Sequence, residues 1–261
     1  MPAVRRYDES AVLIAGGSSG VGLASALAFV DAGVRRIALV SRSEERGIAA
    51  RDAVRQRAGA GASIEFIAAD ADDVGAVVGA VEAAVASVGG VDVLVSSIAS
   101  RYKPELLFRT APEDLSAILS AQALPPIYFT RAVLPYMREQ GGGSIINIAS
   151  DAAKTATPGE AVLGAAMAAI VMFTRVVAIE GKRDGIRANA ITPSLIAGTA
   201  TAERVLSDGF SKSLFEKAAQ AAHLGVADAE DLANLVVFLG GPESARLTGQ
   251  AISVNGGISA A

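Results

Sequence analysis

The chain contains 261 residues, of which 51% are hydrophobic and 19% are charged, and its formal net charge at pH 7 is −4. So large an apolar share is sufficient for a packed core and excludes intrinsic disorder, while the acidic balance and the scattered basic residues argue against nucleic acid or an anionic membrane as a partner. Because the sequence has no cysteine and only one histidine, disulfide and thiolate chemistry are excluded and we predict no metal site.

The N-terminal segment MPAVRRYDES has no apolar core of the kind found in secretory signal peptides. The longest uncharged apolar run, Ala161 to Phe173, is shorter than the roughly 20 residues that span a bilayer. We therefore expect a cytoplasmic protein that does not insert into a membrane.

Short apolar, β-branched runs alternate with longer stretches of helical spacing along the chain. The predicted strands are Ala11–Ala15, Arg36–Val40, Ser63–Ala68, Val91–Ser96, Ser144–Ala149, Ile186–Ile191 and Ala251–Val254. The predicted helices include Val21–Ala32, Ser43–Ala58, Asp72–Val88 and Ala229–Leu239. This alternation indicates an α/β fold, a doubly wound parallel sheet of about seven strands with helices on both faces. We expect residues 1–261 to form a single domain, because all seven runs fit one sheet.

The first predicted strand leads into a glycine-rich turn, Gly16-Gly17-Ser18-Ser19-Gly20-Val21-Gly22. Glycines allow a tight turn and let a pyrophosphate approach the N–H groups at the start of the following helix. In the first strand–helix unit of an alternating chain, this pattern predicts a dinucleotide-binding loop. The alternative is a glycine turn that binds no ligand.

The end of the second predicted strand, Val40-Ser41-Arg42-Ser43, bears on which dinucleotide binds. A carboxylate at this place hydrogen-bonds the ribose 2′-OH of NAD, whereas an arginine accommodates the 2′-phosphate of NADP. Since Arg42 presents a planar fork that pairs with phosphate, we predict NADP(H) as the cofactor. The alternative is a solvated arginine at a helix start, because arginine is common on protein surfaces.

Pro125 and Pro126 fall inside a predicted helix that runs from about Glu113 to Gln140. A proline removes a backbone hydrogen bond, so we expect this pair to bend or break the helix. On the same helix we expect Tyr128 and Tyr136 to be packing residues.

Ser150 ends a predicted strand, and the helix that follows has an apolar face. Leu163 and Met167 are spaced by four residues, so their side chains share one side of that helix. For Ser150 a structural role is the alternative to a catalytic one, because a serine at a strand end readily satisfies loop backbone.

Several motifs occur together in the order typical of one enzyme family. They are the G-x-x-x-G-x-G spacing of the first turn, Asp70 after the third strand, VDVLV, TRAVLPYM, GSIINIAS, IRANAITP and the tail LTGQAISVNGG. From about Ser10 to Ile258 the chain resembles the short-chain dehydrogenase/reductase family. The resemblance implies a Rossmann-like seven-stranded sheet, a dinucleotide cofactor and assembly as a homodimer or homotetramer.

The resemblance also implies which residues hold the cofactor. Asp70 stands where the family has an acid that meets the adenine amino group, and the alternative is that it caps the helix beginning near Asp72. The residues so implied are Gly16, Ser18, Ser19, Gly20, Val21, Gly22, Arg42, Ser43, Asp70, Ala71, Ser97 and Pro193.

The reaction centre departs from the family pattern. In the family a serine holds the substrate carbonyl, a tyrosine moves the proton, a lysine lowers the tyrosine pKa and an asparagine keeps a water wire. By position Ser150 matches the serine and Gln122 stands for the asparagine, but Leu163 replaces the tyrosine and Met167 replaces the lysine. General acid catalysis typically contributes roughly 10²–10⁴-fold, so its loss need not abolish a hydride transfer that depends mainly on positioning.

Other polar residues could supply the missing proton, although each is alternatively an ordinary surface group. They are Tyr102, Lys103, Asp151, Lys154 and Glu160. His223 stands where the family often has a structural proline, and we assign it no role in catalysis. The catalytic candidates that we select are Ser150, Gln122 and Tyr102.

Residues about 194–222 are predicted to form a lid over the substrate. The lid is largely apolar, through Leu195, Ile196, Leu206, Phe210, Leu214 and Phe215. We place Leu163, Met167, Leu195 and Phe210 in the substrate pocket and predict an apolar, aromatic or polycyclic carbonyl substrate. The alternative is that the lid residues pack against one another.

Three functions fit these residues. The first is an NADP(H)-dependent ketoreductase whose proton comes from the substrate, from water or from a residue outside the usual four. The second is a catalytically silent dinucleotide-binding protein that acts as a sensor or assembly partner. The third is a dehydratase, cyclase or isomerase that uses the same apolar pocket without redox chemistry. We favour the first, because the pattern at the cofactor end is intact.

Overall fold

Seven parallel strands form a single sheet in the computed structural model, which describes residues 5–99, 101–207 and 209–260. The strands are β1 (Ala11–Ala15), β2 (Arg36–Ser41), β3 (Ser63–Ala68), β4 (Val93–Ser96), β5 (Gly143–Ile148), β6 (Ile186–Pro193) and β7 (Ala251–Val254). Their order in the sheet is β3-β2-β1-β4-β5-β6-β7. The predicted Rossmann-like α/β class and the seven-stranded parallel sheet are confirmed, and three strands have the predicted bounds.

Helices cover both faces of the sheet. They are α1 (Gly20–Asp31), α2 (Glu44–Ala58), α3 (Val74–Val88), α4 (Leu115–Glu139), α5 (Ala161–Gly181), α6 (Ala200–Leu206), α7 (Gly209–Ala221) and α8 (Ala229–Gly240). On one face α1 packs against α2 and α8, and on the other α4 packs between α3 and α5. The two short helices α6 and α7 form the segment between β6 and α8.

Strand β1 illustrates that both faces of the sheet are buried in the hydrophobic core. Successive side chains of a strand point to opposite faces, and all five residues of β1 are buried. Leu13 belongs to the core cluster that includes Phe129 of α4, whereas Ile14 belongs to the cluster that includes Phe29 of α1. Burying one such large side chain contributes about 1.5–3 kcal/mol. The buried sheet therefore provides a stable support for the loops at the carboxyl ends of its strands.

Helix α4 continues without interruption through Pro125 and Pro126. Of the two predicted outcomes, a break at this pair is wrong, and a bend stays a prediction. Both prolines are buried, and most helical stability in proteins comes from the packing of an apolar face. Packing of α4 against α3 and α5 thus outweighs the backbone hydrogen bonds that two prolines remove. Tyr128 and Tyr136 pack against the core, as predicted.

Helix α5 is the most apolar long helix of the described chain. The segment Ala161–Asp184 is long and apolar enough to cross a membrane by length and composition, which the shorter uncharged run of the sequence did not suggest. In the fold α5 packs against α4 and β6, and Ile170, Val171 and Ala178 are buried. Its place in the core explains the apolar side chains on one side of α5, whereas Met172, Val176 and Ile179 remain exposed.

Candidate active site

A cleft of about 640 Å³ opens at the carboxyl ends of the central strands. The strand order reverses at β1, which pairs with β2 on one side and with β4 on the other. Doubly wound sheets bind ligands in the crevice at such a reversal. The segment with α6 and α7 borders the cleft through Thr199, Leu214 and Phe215, which is where the lid was predicted.

The glycine turn after β1 forms one end of the cleft. Gly16 and Gly20 have positive φ angles of 82° and 50°, a backbone conformation that favours glycine. A Cβ on Gly16 would lie 2.3 Å from the carbonyl oxygen of Ser97, and a Cβ on Gly22 would lie 2.2 Å from the carbonyl oxygen of Gly16. The turn is therefore packed backbone against backbone. Of the cofactor residues predicted in this turn, those that line the cleft are Gly16, Ser18, Ser19, Gly20 and Val21.

Gly22 is the exception, because it lies beneath the turn and does not line the cleft. Its role is to let α1 approach the turn, as the short distance from its position to Gly16 shows. The structure thus shows a packing role for Gly22, and a contact of Gly22 with the cofactor stays a prediction.

The amino end of α1 can receive an anion. Ser19 is the N-cap residue, and its side chain accepts no capping hydrogen bond within the described structure. The first N–H groups of a helix have no partner inside the helix, and the helix dipole adds a partial positive charge there. The free N–H groups, the partial positive charge and the close approach that a glycine backbone allows together fit the pyrophosphate of a dinucleotide.

The end of β2 adds positive charge to the same part of the cleft. Arg42, Ser43 and Arg46 line it, and Ser43 caps α2 by accepting a hydrogen bond from the N–H of Arg46. No acidic residue of the described chain lines this part of the cleft. The buried Oγ of Ser41 has no hydrogen-bond partner within the described structure, and such an atom often marks the place of a ligand or water.

Asp70 lies beside the cleft, whose wall is formed there by Ala69 and Ala71. Its Oδ1 accepts a hydrogen bond from the N–H of Asp72 at 3.1 Å. Helix α3 is capped by Asp73, which accepts hydrogen bonds from two N–H groups of the first turn. The alternative that Asp70 caps this helix is therefore wrong, because the helix begins later than predicted. The adenine contact of Asp70 stays a prediction.

Ser150 lines the cleft at the carboxyl end of β5. Its Oγ accepts a hydrogen bond from the N–H of Ala152 at 3.2 Å and so caps the short 3-10 helix Asp151–Ala153. Ser150 therefore satisfies a backbone N–H of the loop, which is the structural role considered for it. Its hydroxyl group can still donate its own proton in another hydrogen bond. Ser97 and Pro193 also line the cleft.

The first turns of α5 give the cleft an apolar wall. Leu163 and Met167 are half-buried and line it, so the two positions that depart from the family pattern face the site together. Neither side chain can titrate. Gln122 from α4 and Tyr102 from the loop after β4 add polar atoms to the lining.

Leu195 and Phe210 were predicted to lie in the substrate pocket, and they do not line the cleft. Leu195 is buried in a small cluster with Ala202 and Val205 inside the lid. The Phe210 ring packs against Gly159, where a Cβ would lie 2.4 Å from a ring carbon. The structure places neither residue in the cleft lining, because Leu195 is buried within the lid and the half-buried Phe210 ring packs against the loop before α5.

Two of the residues considered for proton chemistry, Lys103 and Lys154, have hydrogen-bond partners outside the cleft lining. Lys103 donates a hydrogen bond to Oγ of Ser207 at 2.8 Å. Lys154 donates to Oγ of Ser253 at 2.7 Å. His223 is exposed and does not line the cleft, in agreement with giving it no catalytic role.

Two acidic side chains line the cleft, Asp151 and Glu160. Asp151 is buried, its Oδ2 accepts a hydrogen bond from Nδ2 of Asn255 at 3.3 Å, and its buried Oδ1 has no partner within the described structure. Burial, and after it the negative charge of Asp151, raises the pKa of Glu160 to about 7. Glu160 is the N-cap residue of α5, where the helix dipole favours a carboxylate, so burial and Asp151 outweigh the dipole.

The sequence gives no indication that the charge of Asp151 acts on Glu160. An irregular loop separates the two acids in the chain, and periodicity carries no signal for an electrostatic effect across such a loop. The lid adds Arg204 and Lys217 to the lining, which the sequence analysis did not single out. Burial lowers the pKa of Arg204 below its usual value.

Comparison with known proteins places these observations in a family. A family model described as enoyl-(acyl carrier protein) reductase matches residues 15–259. An uncharacterized oxidoreductase of Mycobacterium tuberculosis is 32% identical over 254 residues, which are 97% of this chain and 93% of the relative.

Two solved structures extend the comparison. An NADPH-bound short-chain oxidoreductase of Pseudomonas aeruginosa PAO1, which contains an atypical catalytic center, superposes with a TM-score of 0.87 at 28% identity, covering 97% of this chain and 98% of that one. An NAD+-bound xylitol dehydrogenase superposes with a TM-score of 0.88 at 24% identity, covering 97% and 100%, and shows the shared fold.

Proposed function

The chain belongs to the short-chain dehydrogenase/reductase family, as an oxidoreductase, and from this premise we propose that it is an NADP(H)-dependent ketoreductase of atypical mechanism. The observation that carries the proposal is the division of the cleft. One end combines a glycine turn, an open helix terminus and Arg42, while the other has Leu163 and Met167 on the wall where the family has its tyrosine and lysine. The substrate is an apolar carbonyl compound or the corresponding alcohol.

Different residues at the glycine end bind different parts of the cofactor. Backbone N–H groups of Ser18 to Val21 hold the pyrophosphate, and Arg42, assisted by Arg46, pairs with the 2′-phosphate of NADP. When bound, the nicotinamide supplies or accepts a hydride. Of the two solved structures described above, one is NADPH-bound and the other is NAD+-bound, so the preference for NADP(H) rests on Arg42 and on a lining without an acid at the end of β2.

The α5 end sets the substrate class. Leu163, Met167 and Phe215 line the cleft beside Ser150, so a ketone with apolar flanks removes their surface from water on binding. Ser150 donates a hydrogen bond from its hydroxyl group to the substrate oxygen, and Gln122 helps to orient the substrate. A substrate rich in hydroxyl groups would leave some of them without partners along this wall, which is unfavourable.

Single-turnover absorbance measurements test the proposal. NADPH-loaded protein is mixed in a stopped-flow instrument with a panel of aromatic and polycyclic ketones, and the fall in NADPH absorbance is recorded. A polar sugar ketone and NADH-loaded protein are the controls, and both should react more slowly. Tight NADPH binding without oxidation by any ketone would contradict the proposal.

The apolar wall also supports a second candidate function, a catalytically silent dinucleotide-binding protein. Without a titrating tyrosine and lysine, such a protein would bind NADPH and engage another protein instead of reducing a substrate. It predicts measurable NADPH affinity, no turnover and a stable complex with a partner on pull-down. Turnover of any ketone excludes it.

We also propose that the protein is a homodimer or homotetramer. Met172, Val176 and Ile179 expose large apolar side chains along α5, and a contiguous apolar patch of this kind commonly marks an interface. Light scattering coupled to size-exclusion chromatography should give the mass of an oligomer, and a monomer at every concentration would contradict this.

A further inference from the structure

We propose that Glu160, held beside Asp151, donates the proton to the substrate oxygen in this cleft; this inference rests on the ketone reduction proposed above. The carbonyl carbon gains a hydride, which the nicotinamide supplies when bound, and the carbonyl oxygen gains the carboxyl proton of Glu160. The C=O double bond becomes a C–OH group, and the Glu160 carboxylate then regains a proton from water. In the reverse direction the same carboxylate accepts the proton of the alcohol.

The place of Glu160 on α5 is the first argument. Glu160 is the N-cap residue directly before α5, and Leu163 is the third residue of that helix. Glu160 is therefore within one helical turn, along the chain, of the position at which the family has its tyrosine. Both residues line the cleft, together with Ser150.

The packing around the first turn of α5 is the second argument. A Cβ on Gly164 would lie 3.0 Å from the carbonyl oxygen of Ala152, so glycine at 164 lets the turn after Ser150 approach the helix closely. The N–H of Gly164 donates a hydrogen bond to the carbonyl oxygen of Glu160 at 2.5 Å, which fixes the backbone of Glu160. Asp151 and Glu160 are thereby held on adjoining elements that face one cleft.

The protonation state of Glu160 is the third argument. With a pKa of about 7, raised by burial and by the charge of Asp151, this carboxyl group is substantially protonated at neutral pH. General acids work best when their pKa lies near the working pH. Asp151 is kept in place by the amide of Asn255, so its charge stays close to Glu160.

Asp151 is the charged group that acts on Glu160, and other charged groups lie nearby in the turn or elsewhere along the cleft. The acid that faces it from the turn after β5 is Asp151, and Lys154 of the same turn is directed to Ser253. Cations also line the cleft, and an approach of any of them would lower the pKa of Glu160; they are Arg204 and Lys217 of the lid and Arg42 and Arg46 at the end of β2.

Rates of ketone reduction across pH test the inference. For the unchanged protein kcat/KM should fall as pH rises above about 7, because the donor loses its proton. Glu160→Gln should lower the rate at pH 6 roughly 100-fold and flatten the pH profile, and Asp151→Asn should move the fall to lower pH. Glu203→Gln, an exposed lid glutamate that does not line the cleft, is the matched control and should leave the profile unchanged.

Thermal melts of the protein without cofactor give a readout independent of activity. A carboxyl group with a pKa raised from 4.5 to about 7 stabilises the folded state at low pH, and this contribution is lost as pH rises through about 7. Glu160→Gln removes that dependence, so its melting temperature relative to the unchanged protein should be higher at pH 8 than at pH 5. The same relative melting temperature at both pH values would overturn the raised pKa on which the inference depends.

NADPH titration calorimetry of each variant separates the two proposals. If the unchanged protein does not oxidise NADPH with any ketone, the proposed function fails and this inference fails with it. If the unchanged protein does so, and Glu160→Gln binds NADPH equally well and reduces the ketone with the same rate and pH profile, this inference alone is overturned.

Discussion

The two ends of the cleft are built in different ways. The glycine-turn end is formed by main chain, with Gly16 seated against Ser97 and a helix terminus open to an anion. The α5 end is formed by side chains, with Leu163 and Met167 beside the acidic pair Asp151 and Glu160. Under the two proposals above, cofactor binding and proton supply belong to separate parts of the chain. The proposals therefore predict that the acid/base groups at the α5 end can be changed without disturbing the glycine-turn end.

The largest effect should come from Gly16→Ala, which alters the glycine-turn end of the cleft. Its φ is positive, and the added Cβ would overlap the Ser97 carbonyl oxygen at 2.3 Å, so the turn must move. We expect NADPH affinity in calorimetry to fall by about 100-fold or more, equivalent to about 3 kcal/mol. Gly33→Ala is the control, because Gly33 also has a positive φ but meets nothing within 4 Å. An unchanged NADPH affinity in Gly16→Ala would contradict the proposal that the backbone of the glycine turn binds the cofactor.

Arg42→Ala should have the next largest effect and should separate the two coenzymes. A hydrogen bond to a charged group is worth about 1.5–3 kcal/mol, so we expect NADPH affinity to fall roughly 10- to 150-fold while NADH affinity changes little. Arg51→Ala provides the comparison, since Arg51 lies on α2 and pairs with Asp52 outside the cleft. Equal losses for NADPH and NADH would show that Arg42 does not read the 2′-phosphate.

Restoring the family residues should have a smaller effect, confined to the α5 end. In the Glu160→Gln background, Leu163→Tyr with Met167→Lys should recover reduction about tenfold, because a tyrosine beside a cation can act as the proton donor. Leu163→Phe with Met167→Lys adds the ring without the hydroxyl and should recover nothing. Equal rates for the two combinations would mean that position 163 does not reach the reacting oxygen.

The smallest effect should come from His223→Asn. Histidine is the side chain that most often titrates near neutral pH, and the chain has one. Because His223 is exposed and does not line the cleft, its replacement should change kcat/KM less than about twofold and leave the pH profile in place. A profile that loses its dependence on pH in this variant would assign the titration to His223 and not to Glu160.

Much of the fold was predictable from local patterns. β1, β3 and β7 have the predicted bounds because each is a short β-branched or apolar run closed by a change of pattern. The uninterrupted α4 was not predictable, because its continuity through Pro125 and Pro126 depends on contacts with α3 and α5. A local rule for proline does not include that packing.

The candidate site was predictable where it follows helix or strand geometry. The spacing of Leu163 and Met167 placed both on one side of α5, and both line the cleft. Leu195 and Phe210 were misplaced because the lid has short helices whose buried sides depend on neighbouring loops. The effect of the Asp151 charge on the pKa of Glu160 could not be predicted either, because an irregular loop separates the two residues in the chain.

Parallel titration of the unchanged protein with NADPH and NADH in a calorimeter tests the central claim most directly, namely that the glycine-turn end is a complete NADP(H) site. The account predicts saturable NADPH binding that is tighter than NADH binding by at least about tenfold, as one charge-assisted pair with Arg42 requires. Binding of neither coenzyme at millimolar concentration would contradict it.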